Sequence, residues 1–181
     1  MDILRTERLR LRTFTEADLP LYAALKADPL VAEWLGGPLS RADSDEIALW
    51  ANSRWEAHRF GLLAVERLSD REFLGMCGLH RLKDRPDDVE IGWRLAHRHW
   101  GRGYATEAAR AWLRYGFQDL DLPRIISTTD EPNVRSLAVM RRLGFTFLEN
   151  DRIEDNGQWF DAVVYVLTRE DWERGPDREA V

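Results

Sequence analysis

The sequence predicts an α/β (α+β) fold: one mixed sheet with helices packed on its faces. Three observations carry that expectation. Apolar and polar residues alternate along several short runs, as in strands with one wet face. Other segments carry helical spacing and begin at polar caps. The middle of the chain holds three strand-like runs joined only by short polar turns, which reads as an antiparallel meander.

Residues 3–13, ILRTERLRLRT, alternate from Arg8 onward and read as one strand. Thr15 with Asp18 caps an amphipathic helix reaching about Lys26, and Pro29 ends it. A Gly36-Gly37-Pro38 loop leads to a longer helix, Ser40 to Arg59, with Ile47, Trp50 and Trp55 on its inward side. Gly61 to Arg67 and Glu72 to Leu82 are strands joined at Ser69-Asp70-Arg71, and Val89 to Leu95 follows a turn over residues 84–88. A polar segment and a loop on Gly101 and Gly103 come next, then an amphipathic helix to Phe117. Pro123 introduces a short strand, Arg124 to Thr129. Asn133 opens a helix whose Val134, Leu137, Ala138, Val139 and Leu143 fit one buried face, with Gly144 as its stop. Phe145 to Arg152 and Trp159 to Thr168 pair around Asp155-Asn156-Gly157. The order is β-α-α-β-β-β-α-β-α-β-β in a single domain over residues 1–173, with a polar tail at 174–181.

The 181 residues, 44% of them hydrophobic, suffice for one core. A net charge of −6 argues against nucleic-acid binding; it would attract a basic substrate, although such a charge is also ordinary. One cysteine, Cys77, excludes a disulfide framework and a Cys-based zinc site, and its apolar run reads as core. The start is charged from Asp2 and no apolar run reaches about 18 residues, so neither signal peptide nor membrane span is expected, and the expected address is the cytoplasm. His97 and His99 lack a third ligand and read as a solvated segment, so no metal is expected. The tryptophans, notably Trp34, Trp50, Trp55 and Trp159, read as mostly core.

The loop at 101–106 carries the most chemistry. A helix that begins right after two glycines offers unpaired N–H groups and a positive dipole end to one point, where a phosphate fits. Gly101-Arg102-Gly103-Tyr104-Ala105-Thr106 nearly spells the dinucleotide fingerprint, but Thr106 breaks it, and it follows a meander rather than a first parallel strand. The Walker pattern is absent.

Four segments in order resemble the GNAT superfamily of N-acetyltransferases, and more narrowly its ribosomal-protein N-terminal acetyltransferase branch. They are TERLRLR (6–12) with TEADL (15–19), EIGWRL (90–95), WGRGYATEA (100–108) and NVRSLAVMRRLGF (133–145). The resemblance implies a sheet of about seven strands splayed near its middle, with helices on both faces. It also implies acetyl-CoA as cosubstrate. The family's phosphate loop, Q/R-x-x-G-x-G/A, fits in two registers: Arg98-x-x-Gly101-x-Gly103, or Trp100-x-x-Gly103-x-Ala105, the better structural match. Cofactor-binding residues implied are Trp93, Arg94 and Leu95 for the pantetheine arm, Trp100, Gly101, Arg102, Gly103, Tyr104, Ala105 and Thr106 for the diphosphate, and Asn133 and Ser136 beyond them. Arg141 and Arg142 either reach the 3′-phosphate or face water, and Trp34 is a candidate wall of the acceptor pocket.

Acetyl transfer needs a base for the amine and an acid for the leaving thiolate. Strand alternation places Glu90, Gly92 and Arg94 on one face, and burial of Glu90 near the splay should raise its pKa, making it the candidate base. The alternative is a structural carboxylate paired to Arg94 or His80. Where many superfamily members carry a tyrosine acid, this chain has Met140, so Ser136 is the candidate acid, with a capping role as its alternative and Tyr104 as the fallback. The reading is direct transfer to a primary amine, on a small molecule or a protein N-terminus, and a polyamine, an amino sugar and an amino acid all stay open. A catalytically idle acyl-CoA-binding module is the competing reading. Dimers are common among such relatives.

Overall fold

The computed structural model describes residues 2–34, 37–83, 85–155 and 158–175. An eight-stranded sheet is ordered β1-β2-β3-β4-β5-β6-β8-β7. Its strands are β1 (Asp2–Arg5), β2 (Leu9–Arg12), β3 (Leu62–Arg67), β4 (Phe73–Arg81), β5 (Val89–Leu95), β6 (Arg124–Thr129), β7 (Thr146–Asp155) and β8 (Gln158–Thr168). All neighbours are antiparallel except β5 and β6. The helices are α1 (Leu19–Ala27), α2 (Pro29–Ala32), α3 (Arg41–His58), α4 (Tyr104–Gln118), α5 (Val134–Arg142) and α6 (Arg169–Arg174). The mixed sheet with helices is thus as the sequence predicts.

The single opening strand is in fact a hairpin. Thr6 N–H donates to Leu9 C=O at 2.9 Å, and Leu4 pairs with Leu11, which raises seven expected strands to eight. Pro29 ends α1 but also starts the short α2, capped by the Asp28 side chain on Leu30 N–H. Thr168 caps α6 through Asp171 N–H, so helix extends past the strand into the expected polar tail. The Asn156-Gly157 turn, Gly36, Asp84 and residues 176–181 lie outside the described residues.

Two cores sandwich the sheet. On one face α4 buries Ala108, Ala109, Trp112, Leu113 and Phe117 against Leu63, Cys77, Leu79 and Ile91. Trp112 is fully buried and its indole N–H reaches Cys77 C=O at 3.0 Å, so the ring leaves no unpaired donor. On the other face α1 and α3 cover Leu62, Ala64, Phe73 and Met76 through Tyr22, Leu25, Ala48 and Ala51. Trp50 does not share this face: it is 46% exposed, under the Arg54 guanidinium. Trp159 and Val134 are likewise exposed, while Met140 is fully buried and takes the core place expected for Val134.

A buried charge cluster explains the TEADL segment. Arg12 donates from Nη1 and Nη2 to the two Asp18 oxygens at 2.6 and 2.9 Å, and from Nε to Glu66 at 2.9 Å. Asp18 also accepts from Thr15 N–H and Oγ–H at 2.7 Å each. Burial alone would lift the Asp18 carboxyl, but these donors outweigh it and hold it below the usual carboxylate range.

Candidate active site

The sheet parts between β5 and β6. Their ladder holds one residue pair, Glu90 opposite Ile126. Beyond it the donors of β6 go elsewhere: Ser127 Oγ–H to Ile91 C=O at 3.0 Å, and Thr128 N–H to the Glu90 carboxylate at 2.9 Å. Ile91 C=O therefore faces β6, and by strand alternation so do the backbone groups of Trp93 and Leu95. Leu95 C=O is taken by the Trp100 indole N–H at 2.7 Å. Among the described residues, Trp93 N–H and C=O and Leu95 N–H are left on an open edge where an added strand could pair. Arg94 differs from the expectation here. Its backbone turns to Met76 on β4, so only its side chain can serve a ligand on this edge.

From this edge the chain runs through one 3-10 turn (His97–His99) into the glycine loop. Gly101 and Gly103 have φ of 73° and 81°, the left-handed region that glycine enters without a Cβ clash. Gly103 is the N-cap of α4, and the first helical bond runs from Glu107 N–H to Gly103 C=O. The N–H groups of Tyr104, Ala105 and Thr106 have no helical acceptor, and among the described residues no side chain caps them. Gly103 and Ala105 thus stand at the start of α4. Arg102 does not line the cleft; its carbonyl accepts from Arg8 Nη1 at 3.1 Å. His99 is buried, 3.3 Å from Glu72, rather than solvated as expected.

Sequence reasoning missed how the opening segment holds this loop. Glu107, in the first turn of α4, accepts from Thr6 Oγ–H at 2.6 Å, Arg8 N–H at 2.9 Å and Arg8 Nε–H at 2.6 Å. The Arg8 guanidinium also covers the Tyr104 ring at 4.7 Å. TERLRLR and YATEA thus form one clasp, a link that their separation of about a hundred residues hides. The Tyr104 hydroxyl lies 3.4 Å from Arg67 on β3, two strands from β5, which removes it from the splay.

One cavity of about 1570 Å³ contains the open edge, the loop and the splay. Pockets for one small ligand hold roughly 300–1,000 Å³, so this one has room for two reactants. Trp93, Leu95, Trp100, Gly101, Gly103, Tyr104, Ala105, Thr106, Asn133 and Ser136 all line it, as do Glu90, His80 and Trp34. Seven arginines and four carboxylates face it (Arg5, Arg8, Arg94, Arg110, Arg114, Arg135, Arg142 against Glu7, Glu90, Glu107, Asp130). A chain of net charge −6 therefore carries a cationic cleft, suited to an anionic ligand. Arg142 lines the cavity and Arg141 does not.

At the splay, Glu90 is buried. Oε1 accepts from both Thr128 N–H and Thr128 Oγ–H, and Oε2 lies 3.0 Å from His80 Nε2. The expected rise in pKa is overturned. Burial does push the carboxyl up, but the His80 contact and the Thr128 donors outweigh it and hold Glu90 below its ordinary value. Asp130 lies just past β6, half-buried, and burial raises its carboxyl. Asn133 caps α5 by accepting from Ser136 N–H at 3.1 Å, while Ser136 Oγ makes no hydrogen bond among the described residues. Cys77 is fully buried behind β4, its thiol pushed up by burial, and does not line the cleft. Among the described residues, no three of His, Cys, Asp and Glu gather to hold a metal, and no helix is long and apolar enough to cross a membrane.

Comparison with known proteins gives the same frame. The profile of the acetyltransferase (GNAT) domain family matches residues 8–146. An acetyltransferase from Agrobacterium tumefaciens str. C58 is 32% identical, covers 91% of this chain and 92% of its own, and superposes with a TM-score of 0.78. YdaF of Bacillus subtilis (strain 168), named as a candidate ribosomal N-acetyltransferase, is 36% identical over 125 residues, 66% of this chain and 67% of its own. A ribosomal L7/L12 alpha-N-protein acetyltransferase in complex with coenzyme A, RimL, shares the fold at 19% identity, with a TM-score of 0.77 over 93% of this chain and 98% of its own. The chain belongs to the GNAT family of acetyltransferases, among relatives that include ribosomal N-acetyltransferases.

Proposed function

We propose that the protein transfers the acetyl group of acetyl-CoA directly to a primary amine. The observation that carries this reading is the continuity of the cleft. Uncapped N–H groups at the start of α4 lead onto the unpaired edge of β5, and that edge ends at the Glu90 carboxylate. From Leu95 back to Glu90 is about 16 Å at 3.3 Å per residue, a strand-like track for an arm that carries two amides. The diphosphate would sit on the N–H groups of residues 103–106, where the dipole of α4 favours negative charge. The arm's amides would pair with Trp93 and Leu95, and Trp100 fixes the end of that edge by its bond to Leu95.

The thioester then lies between Glu90 and Ser136. The amine attacks the carbonyl carbon, its proton leaves toward the Glu90–His80 pair, and the thiolate takes a proton from Ser136 Oγ, near the positive end of α5. Attack is direct, because the only cysteine is buried away from the cleft. Glu90 and Asp130 line the cleft, as do the apolar Trp34, Met76 and Phe160. That favours an ammonium-bearing acceptor with an apolar body, a small molecule or a protein N-terminus. A consumer of acetyl-CoA belongs where acetyl-CoA is made, and we place it in the cytoplasm.

Thiol release from acetyl-CoA with a panel of primary amines, read together with a mass gain of one acetyl group on the acceptor, tests the reading. Turnover with at least one amine is expected. Coenzyme A binding without turnover on any amine would make the chain an idle acyl-CoA sensor instead.

A further inference from the structure

We propose that Asp130 selects the acceptor: its carboxylate holds a second cationic group, so the protein prefers a diamine with an apolar chain over a monoamine. The assignment rests on the acetyl-transfer reading above.

Strand alternation sorts the cavity into two sides. Ile91, Trp93 and Leu95 pack with α4 and α5 in one core. Glu90, Gly92 and Arg94 point the other way, as does Met76, which pairs with Arg94 and belongs to the core under α1 and α3. Thr128 Oγ–H reaches Glu90, so Thr128 shares this second side, and Asp130 follows it by two residues. The walls here are apolar: Ile153 is buried, with Leu82 and Phe160 packed against it, and all three line the cavity. Arg8 from the clasp, Arg110 and Arg114 from α4, and Arg135 and Arg142 from α5 belong to the side of the glycine loop. Arg94 is the arginine that alternation puts on the second side. The cationic character of the cleft thus lies mostly toward the coenzyme, and the acceptor side carries Glu90 and Asp130.

These two carboxylates differ in their partners. Glu90 is supplied by Thr128 and His80. Among the described residues the Asp130 carboxylate takes no hydrogen bond and no ion pair, and its oxygens are open to the cavity it lines. Its backbone does the structural work: Asp130 C=O accepts from Asn133 N–H at 3.0 Å in the turn before α5. Burial raises the Asp130 carboxyl, and no cation stands close enough to offset that cost. A ligand cation would supply the missing partner. The spacing also fits, because two extended residues separate Thr128 from Asp130 by about 7 Å. An amine reacting at Glu90, beside Thr128, therefore places a nitrogen about four methylenes away within reach of Asp130.

The test compares an unbranched four-carbon diamine with the monoamine of the same length, on the wild type and on Asp130→Asn. Thiol release gives kcat and KM, and calorimetry with coenzyme A confirms that the variant is folded. The wild type should favour the diamine by about 10–100-fold in kcat/KM, the range of a charge-assisted hydrogen bond. In Asp130→Asn that ratio should fall to near one. The loss should appear mainly in KM for the diamine, since its second nitrogen is held alike before and during attack. Asp130→Glu, which restores the charge, should recover part of the preference. No preference in the wild type, a preference kept in Asp130→Asn, or an equal loss on both amines overturns the assignment. Turnover of other amines but of neither of these does the same and leaves the acetyl-transfer reading standing. No thiol release by the wild type on any amine overturns that reading, and the assignment with it.

Discussion

Gly75 and Gly78 on β4 offer a controlled way to separate the open edge of β5 from general stability. A Cβ on Gly75 would lie 2.1 Å from Arg94 C=O and 2.7 Å from Leu95 Cα; one on Gly78 would lie 2.1 Å from Gly61 C=O and 2.6 Å from Leu62 Cα. Real Cβ contacts begin near 3.0 Å, so either alanine forces backbone apart by roughly 1 Å. Gly75→Ala pushes on the stretch that carries the unpaired Trp93 and Leu95 groups, whereas Gly78→Ala pushes on the start of β3, two strands from that edge. Overpacking of this kind costs about 1–3 kcal/mol in each, and Gly75, at φ 147°, adds about 1 kcal/mol of backbone strain. Urea melts should therefore show both variants destabilised, Gly75→Ala slightly more. Displacing the edge would weaken one or two backbone hydrogen bonds to the pantetheine arm, at about 0.5–1.5 kcal/mol each. Calorimetry under conditions where both variants are folded should then show coenzyme A affinity down by about 2–150-fold in Gly75→Ala and near wild type in Gly78→Ala. Equal losses in the two variants, or unchanged affinity in Gly75→Ala despite the stability loss, would refute the placement of the arm on β5.

Two further outcomes follow from the same geometry. Asp18→Asn leaves the buried Arg12 with Glu66 as its one carboxylate partner beside Thr13 C=O, and should destabilise by about 3–5 kcal/mol at neutral pH. Because the Asp18 carboxyl is held below its ordinary value, its stabilisation is present above the unfolded pKa and fades as pH falls through the folded one, so urea melts of variant and wild type should converge on acidification. Ser136→Ala should slow thiol release by about 100-fold while coenzyme A affinity holds; single-turnover rates at the wild-type level would remove the serine from the chemistry.

The helix caps and the meander were legible because their signals are local. Thr15 to Asp18, Asn133 and Gly144 each act within one turn, and β3, β4 and β5 pair in the order their turns imply. The opening hairpin was not, because Thr6 to Arg8 hold no glycine, proline, asparagine or aspartate to mark the bend. The cap of α6 was readable, Thr168 to Asp171 repeating the spacing of Thr15 to Asp18, but residues 169–173 were given no element. In the site, the glycine loop and Glu90 announced themselves. Glu107 and Asp130 did not, since each acquires meaning only from a partner or a void supplied by a distant element, while the His80 contact is one of the two pairings the sequence offered for Glu90. The pKa of Glu90 shows the limit most clearly: sequence gives its burial, while the direction of its shift depends on two donors from β4 and β6.

The most direct measurement compares coenzyme A with free pantetheine, which lacks the diphosphate, by calorimetry on the wild type and on Gly103→Glu. Coenzyme A should bind the wild type far more tightly than pantetheine, and the variant, with a carboxylate at the N-cap of α4, should erase most of that difference. Equal affinity for the two ligands, or a variant that binds coenzyme A as the wild type does, would mean that the start of α4 is not where the anion docks.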